Sequence, residues 1–135
     1  MKASDVLKAA RANVERGWCQ GEYARDAAGS PVWTSRSLRT ADQFTEPELL
    51  PDFREVTASV CSAGAIYIEP LSDGMRELAL RYLAAEIKDC EISLFEESDS
   101  VQVIACFNDT PGRTKGEVLD KIDHAIKHAL EDEAS

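Results

Sequence analysis

The sequence predicts a mainly α fold: a single domain, residues 1–135, of four to five helices with a short irregular hairpin after the first helix. Three observations predict it. Apolar residues recur at a helical period in several separate segments. Ser or Thr stands at the start of most of them, where a helix needs a side-chain acceptor for its free N–H groups. The stretches between are rich in Gly, Pro, Asn and Asp, which favour turns. A chain of 135 residues has the length of one domain and can bury roughly two thirds of its unfolded surface.

The first helix is expected from about Asp5 to Arg16, capped by Ser4, with Val6, Leu7, Ala10 and Val14 on one face and Gly17 as a left-handed C′ residue. Turn residues from Asp26 to Gly29 follow, and Trp18 and Tyr23 on one side with Val32 and Trp33 on the other suit the arms of the hairpin. Residues 34–51 lack a sustained apolar period and form a polar loop or insertion, long for a compact domain unless it binds something or moves. A helical turn fits Glu46 to Leu50. A second main helix is expected from Asp52 or Phe53 to about Tyr67, its small side chains Ser62, Ala63, Gly64 and Ala65 offering a tight packing seam.

The third helix carries the cleanest stripe: Ser72 caps it, and Met75, Leu78, Ala79, Tyr82, Leu83 and Ile87 lead to about Lys88. Residues 98–107 fit a helix capped by Ser98 or Ser100, although Val101, Val103, Ala105 and Phe107 also alternate as in a strand. After an Asn108–Gly112 turn, Thr114 and Glu117 form a capping box. The last helix then buries Val118, Ile122, Ala125, Ile126 and Ala129 and reaches about Leu130, leaving 131–135 as a frayed tail.

The formal charge is −10. Residues 1–54 are balanced, with 8 basic and 8 acidic side chains, whereas 55–135 hold 7 against 17. This acidity and the lack of a Lys/Arg run argue against direct nucleic-acid binding and leave room for a basic protein partner. No apolar stretch approaches the roughly 20 residues of a membrane span. The amphipathic, acid-bearing N-terminus suits neither a secretory nor a transit peptide, so a cytoplasmic address is expected. Cys19, Cys61, Cys90 and Cys106 include no C-x-x-C pair and fit reduced, inert thiols better than a metal cluster.

Three segments stand out: Trp18-Cys19-Gln20-Gly21 with Tyr23-Ala24-Arg25-Asp26, Cys61-Ser62-Ala63-Gly64-Ala65, and Phe107-Asn108-Asp109-Thr110-Pro111-Gly112-Arg113-Thr114. Together they resemble a family of small domains of unknown function from actinobacteria and their phages. That family carries W-C-Q-G-x-Y-A-R-D, C-x-x-G-A and W-N-D-x-P-G-R-T segments in this order. Phe107 stands where Trp is usual, and residues 34–51 look longer than the family pattern. The resemblance implies a fold and a bacterial or phage origin, but no activity.

The candidate binding residues are Cys19, Arg25, Asp26, Asn108, Asp109 and Arg113. Arg113 precedes a helix N-terminus, whose free N–H groups favour anions. The competing role for Asn108 and Asp109 is to satisfy backbone groups of the turn. Arg25 and Asp26 could pair with each other, or with Asp109 and Arg113, as a clasp between the first and last segments. His124 and His128 have a metal-clamp spacing but lie opposite the apolar stripe and face water. No catalytic residue, metal or cofactor is expected.

Three functions remain open: an acidic binding or regulatory module acting on a protein, a small-ligand protein or enzyme with a cleft between residues 18–26 and 108–114, and an acidic mimic of nucleic acid. Convergence of the candidate side chains on a concave pocket would favour the second. The sequence leaves the oligomeric state open.

Overall fold

The first helix starts earlier than its capping residues suggest, and the cause is at the far end of the chain. A computed structural model describes residues 2–30, 33–34, 48–49, 57–69 and 72–135. In it α1 spans Ala3–Arg16, with Lys2 as N-cap. Asp5 accepts the Lys2 backbone N–H at 3.0 Å. Ser4 is therefore inside the first turn, buried, and its N–H and hydroxyl donate to the Glu133 carboxylate at 3.2 and 2.6 Å. A carboxylate from another helix thus serves the positive end of α1. Val6, Leu7, Ala10 and Val14 are buried as expected.

Gly17 does not take the left-handed conformation; its φ is −175°, an extended backbone. It is required for a different reason, because a Cβ there would collide with the Ala58 carbonyl. Two backbones meet at this point: Val60 donates to Gly17 O at 2.9 Å, and Cys19 donates to Val60 O at 3.0 Å.

The small antiparallel element after α1 is present, but its arms differ from those expected. Strand β1 (Ala24–Asp26) ends in the Asp26–Ser30 turn, and strands β2 (Trp33–Thr34) and β3 (Glu48–Leu49) pair with each other. The partner of β1 is β4 (Thr57–Val60), with Ala24 opposite Val60. Glu48 and Leu49 are thus a strand, not part of a helical turn. The rest of the expected 34–51 loop, residues 35–47 and 50–51, lies outside the described residues.

Strand β4 also corrects the second helix, which was expected to run unbroken to Tyr67. It begins only at Ser62, as α2 (Ser62–Tyr67). Val60 and Tyr67 do share a helical stripe in sequence, yet Val60 also carries the backbone pairing that residues 17–24 need, and that pairing wins. The small-sided run remains a packing seam, since Ser62, Ala63, Gly64 and Ala65 are all buried.

Helix α3 (Asp73–Lys88) follows. It packs against α1, α2, α4 (Glu97–Asn108) and α5 (Lys115–Ala134). Surrounded in this way, α3 buries Leu80 and Ala84 as well as the expected Ala79, Tyr82 and Leu83. A 3-10 turn, Ile92–Leu94, links α3 to α4. The helical alternative holds for α4, which buries Val101 and Ile104. Its N-cap is Glu96, whose carbonyl takes the Ser100 hydroxyl at 2.8 Å. The Thr114–Glu117 capping box forms, with Thr114 N–H donating to Glu117 at 2.9 Å and Glu117 N–H to Thr114 Oγ1 at 3.2 Å. Helix α5 continues past Leu130 to Ala134, because Glu133 receives Ser4 and Asp132 receives the Tyr82 hydroxyl at 2.8 Å. Among the described residues, no helix is long and apolar enough to cross a membrane.

Candidate functional site

The three motif segments converge on one side chain. Asn108 is fully buried at the C-terminal end of α4. Its Oδ1 accepts from Trp18 Nε1 at 2.7 Å, Ser62 N at 3.0 Å and Ser62 Oγ at 2.6 Å. Its Nδ2 donates to the Cys19 carbonyl and to Asp109 Oδ1, both at 3.0 Å. Donors on one side and acceptors on the other fix the amide's orientation. Gln20 adds bonds to the Asn108 and Thr110 carbonyls at 2.9 and 3.2 Å, and Gly21 N–H donates to Asp109 Oδ1 at 2.9 Å. A neutral amide, not an ion pair, clasps the segments.

The middle segment has its own logic. Cys61 is the N-cap of α2, and its Sγ accepts the Gly64 N–H at 3.2 Å. Cys61 N–H donates to the Tyr23 carbonyl at 2.9 Å. That carbonyl comes so close to α2 that any Cβ at Gly64 would collide with it. The cysteine and glycine of this segment are thus explained by a cap and a close approach.

The charged candidates do not converge. Arg25 donates to the Gly29 and Gln20 carbonyls at 2.8 and 3.2 Å and meets no carboxylate among the described residues, so the expected ionic clasp is replaced by the Asn108 one. Asp26 Oδ1 closes its own turn by accepting from Ala28 and Ser30, both at 2.9 Å. Arg113 lies over the Phe107 ring at 3.7 Å, donates to the Phe107 carbonyl at 2.9 Å, and pairs with Glu117 at 3.2 Å. With the cap filled and Arg113 engaged, this helix N-terminus is occupied by the protein itself. Cys19 is half-buried, and its thiol lies 3.6 Å from the Glu22 carbonyl. Burial pushes its titration upward, as it does for Tyr23, and lifts the Cys61 thiol to about 12. These thiols are held protonated, unlike an activated nucleophile.

Of the residues singled out in the sequence, Asn108, Asp109 and Cys19 meet at the clasp, while Trp18, Gln20 and Ser62 join it without having been named as candidates. Trp18 and Gln20 stand inside the quoted motif and were within reach. Ser62 carries no signal beyond being small.

A cavity of about 180 Å³ opens beside the clasp, lined by Gly21, Glu22, Tyr23, Cys61, Ala63, Ala105 and Asp109. It lies between the segments expected to form a cleft, but of the six candidates only Asp109 lines it. A second, wider groove of about 390 Å³ separates α3 from α4, with Ile87, Val103, Cys106 and Phe107 among its walls.

The α3–α4 connection has a distinct character. Residues 89–99 contain five acids, Asp89, Glu91, Glu96, Glu97 and Asp99, and no base. Leu94 stands within them at 69% exposure. On α5, by contrast, Asp123 is engaged by Arg11 and the helix carries Lys121 and Lys127 among its acids.

His124 is exposed, 3.6 Å from Asp120. His128, expected to face water, is half-buried against the edge of Tyr82, 3.2 Å from Glu86 and 3.7 Å from Asp132. Among the described residues, no three His, Cys, Asp or Glu side chains form a group able to hold a metal ion.

The chain belongs to a family of unknown function, DUF6197, whose model matches residues 1–128. No curated protein and no solved structure matches the chain.

Proposed function

We propose that the protein is an acidic binding module that docks a basic segment of another protein on the connection between α3 and α4. The observation that carries this is Leu94, a large apolar side chain left 69% exposed in a stretch with five acids and no base. An exposed apolar anchor in a stretch charged with one sign suits a partner with an apolar residue among lysines or arginines. The polar groups of the motif segments support the same reading from the other direction. Trp18, Gln20, Ser62 and Asn108 are spent on one another, so this part of the motifs serves the fold.

The test is capture from host extract on immobilised protein, with rising salt. Wild-type protein should retain a basic partner that salt releases, because charge pairing at an exposed surface is screened within about 8–10 Å. Leu94→Ser and the double exchange Glu91→Lys/Glu96→Lys should each lose it, while Asp120→Asn on α5 should keep it. Retention unchanged in both altered proteins would place recognition elsewhere and overturn the assignment.

A further inference from the structure

We propose that the cavity beside the Asn108 clasp binds a small organic cation, an ammonium group on a compact apolar body. The proposal rests on shape and charge at one place and is independent of the docking surface on the α3–α4 connection. Ala63, Ala105, Cys61 and Tyr23 are among its walls, and most of the lining is apolar. The cavity is a pocket open to solvent on one side, with a volume of about 180 Å³. The space fits a single ring or a short branched alkyl group.

Charge decides which kind of molecule enters. The lining holds two acidic side chains, Glu22 and Asp109, and no basic one. Cys61 contributes a neutral wall, since burial lifts its thiol to about 12. Asp109 spends Oδ1 on Gly21 and Asn108, while no donor among the described residues reaches its Oδ2. Glu22 has no ion pair among the described residues. Arg25, the cation of this segment, is turned to the Gln20 and Gly29 carbonyls. The Arg25 guanidinium lies behind Gly21 but forms no ion pair with either acid among the described residues, so two carboxylates against one cation, over an apolar pocket, favour an ammonium and disfavour an anion. Tyr23 belongs to the lining, and its ring is held edge-on against Tyr67 at 5.6 Å.

The experiment uses three single-ring probes of similar size and different charge: benzylammonium, benzyl alcohol and benzoate. Each is titrated into the full chain while backbone amide shifts are followed by NMR. Benzylammonium should give saturable shifts centred on Gly21, Tyr23, Ala63 and Ala105. Benzyl alcohol should bind about fivefold more weakly, the worth of one half-exposed ion pair, and benzoate should give no saturable shift. Glu22→Gln should weaken benzylammonium toward the affinity of benzyl alcohol and leave the alcohol unchanged. Ala105→Leu should fill the chamber and abolish binding of both; Ala105 is partly exposed, so the fold has room for the larger side chain. Equal binding of benzoate, shifts centred away from the lining, undiminished binding in Ala105→Leu, or no saturable shift with any probe would each overturn the proposal.

Discussion

One amide holds together stretches that are about ninety residues apart in sequence: Trp18 and Cys19 on one side, Asn108 on the other, with Ser62 between. Removing it leaves the Trp18 indole N–H and both Ser62 donors buried without an acceptor, and each such orphan costs about 1–3 kcal/mol. These costs overlap, so Asn108→Ala should destabilise the protein by about 3–5 kcal/mol, a large part of a normal domain's stability. Asn108→Asp is the sharper probe. It keeps Oδ1 but sets a carboxylate against the Cys19 carbonyl and Asp109, where Nδ2 now donates. Its deficit should shrink as pH falls and the new carboxyl regains a proton, whereas that of Asn108→Ala should not. Urea unfolding at pH 7 and pH 5 measures both. A loss below 1 kcal/mol for Asn108→Ala would show that the clasp is not a keystone.

Among the elements, α5 joins the two ends of the chain, and its last turn holds the first. Glu133 takes both Ser4 donors, and Asp132 takes the Tyr82 hydroxyl, so the segment that composition marks as a fraying tail serves as a cap. Truncation after Leu130 should therefore cost about 1–3 kcal/mol, from donors left unpaired and from the lost negative charge at the start of α1. A thermal melt decides it: a frayed tail would leave Tm unchanged. This contrast shows what was legible in the sequence. The stripes of α1, α3 and α5, the Thr114–Glu117 box and the Asn108–Gly112 turn are local, set by residues within a few positions of one another, and they were readable. Strand β4 was not, because Val60 suits a helix stripe as well as a strand and only its distant partners, Gly17, Cys19 and Ala24, decide between them. The candidate site divides in the same way. Asn108 and Asp109 announce a turn locally, while their bonds to Trp18, Gly21 and Ser62 depend on the tertiary fold.

For the molecule as a whole, four thiols and phenols that titrate at high pH, Cys19, Tyr23, Cys61 and Tyr82, shift in one direction. Burial lifts Cys61 from 9.0 to about 12, and burial with the bond to Asp132 lifts Tyr82 from 10.0 to about 12; Tyr23 and Cys19 also move upward. A folded value above the unfolded one means that the unfolded chain releases its protons first. The stability these groups contribute is complete below about pH 9 and drains away between pH 9 and 12, by up to about 1.4 kcal/mol per pH unit for each group. Glu117 works in the opposite sense at the acid end: its lowered value, set first by the Thr114 N–H, adds stability above its ordinary range that is lost as pH falls. The chain should therefore unfold cooperatively on the alkaline side, between about pH 10 and 12, with several protons lost. Cys61→Ser isolates one contributor, because Ser can still cap α2 through its hydroxyl but does not ionise in this range. Urea midpoints measured from pH 8 to 11 should fall less steeply in Cys61→Ser than in the wild type, by the slope of about one proton. Parallel curves would mean that the thiol ionises in the folded protein as readily as in the unfolded chain, and that Cys61 is not sealed beneath Tyr23 and the start of α2.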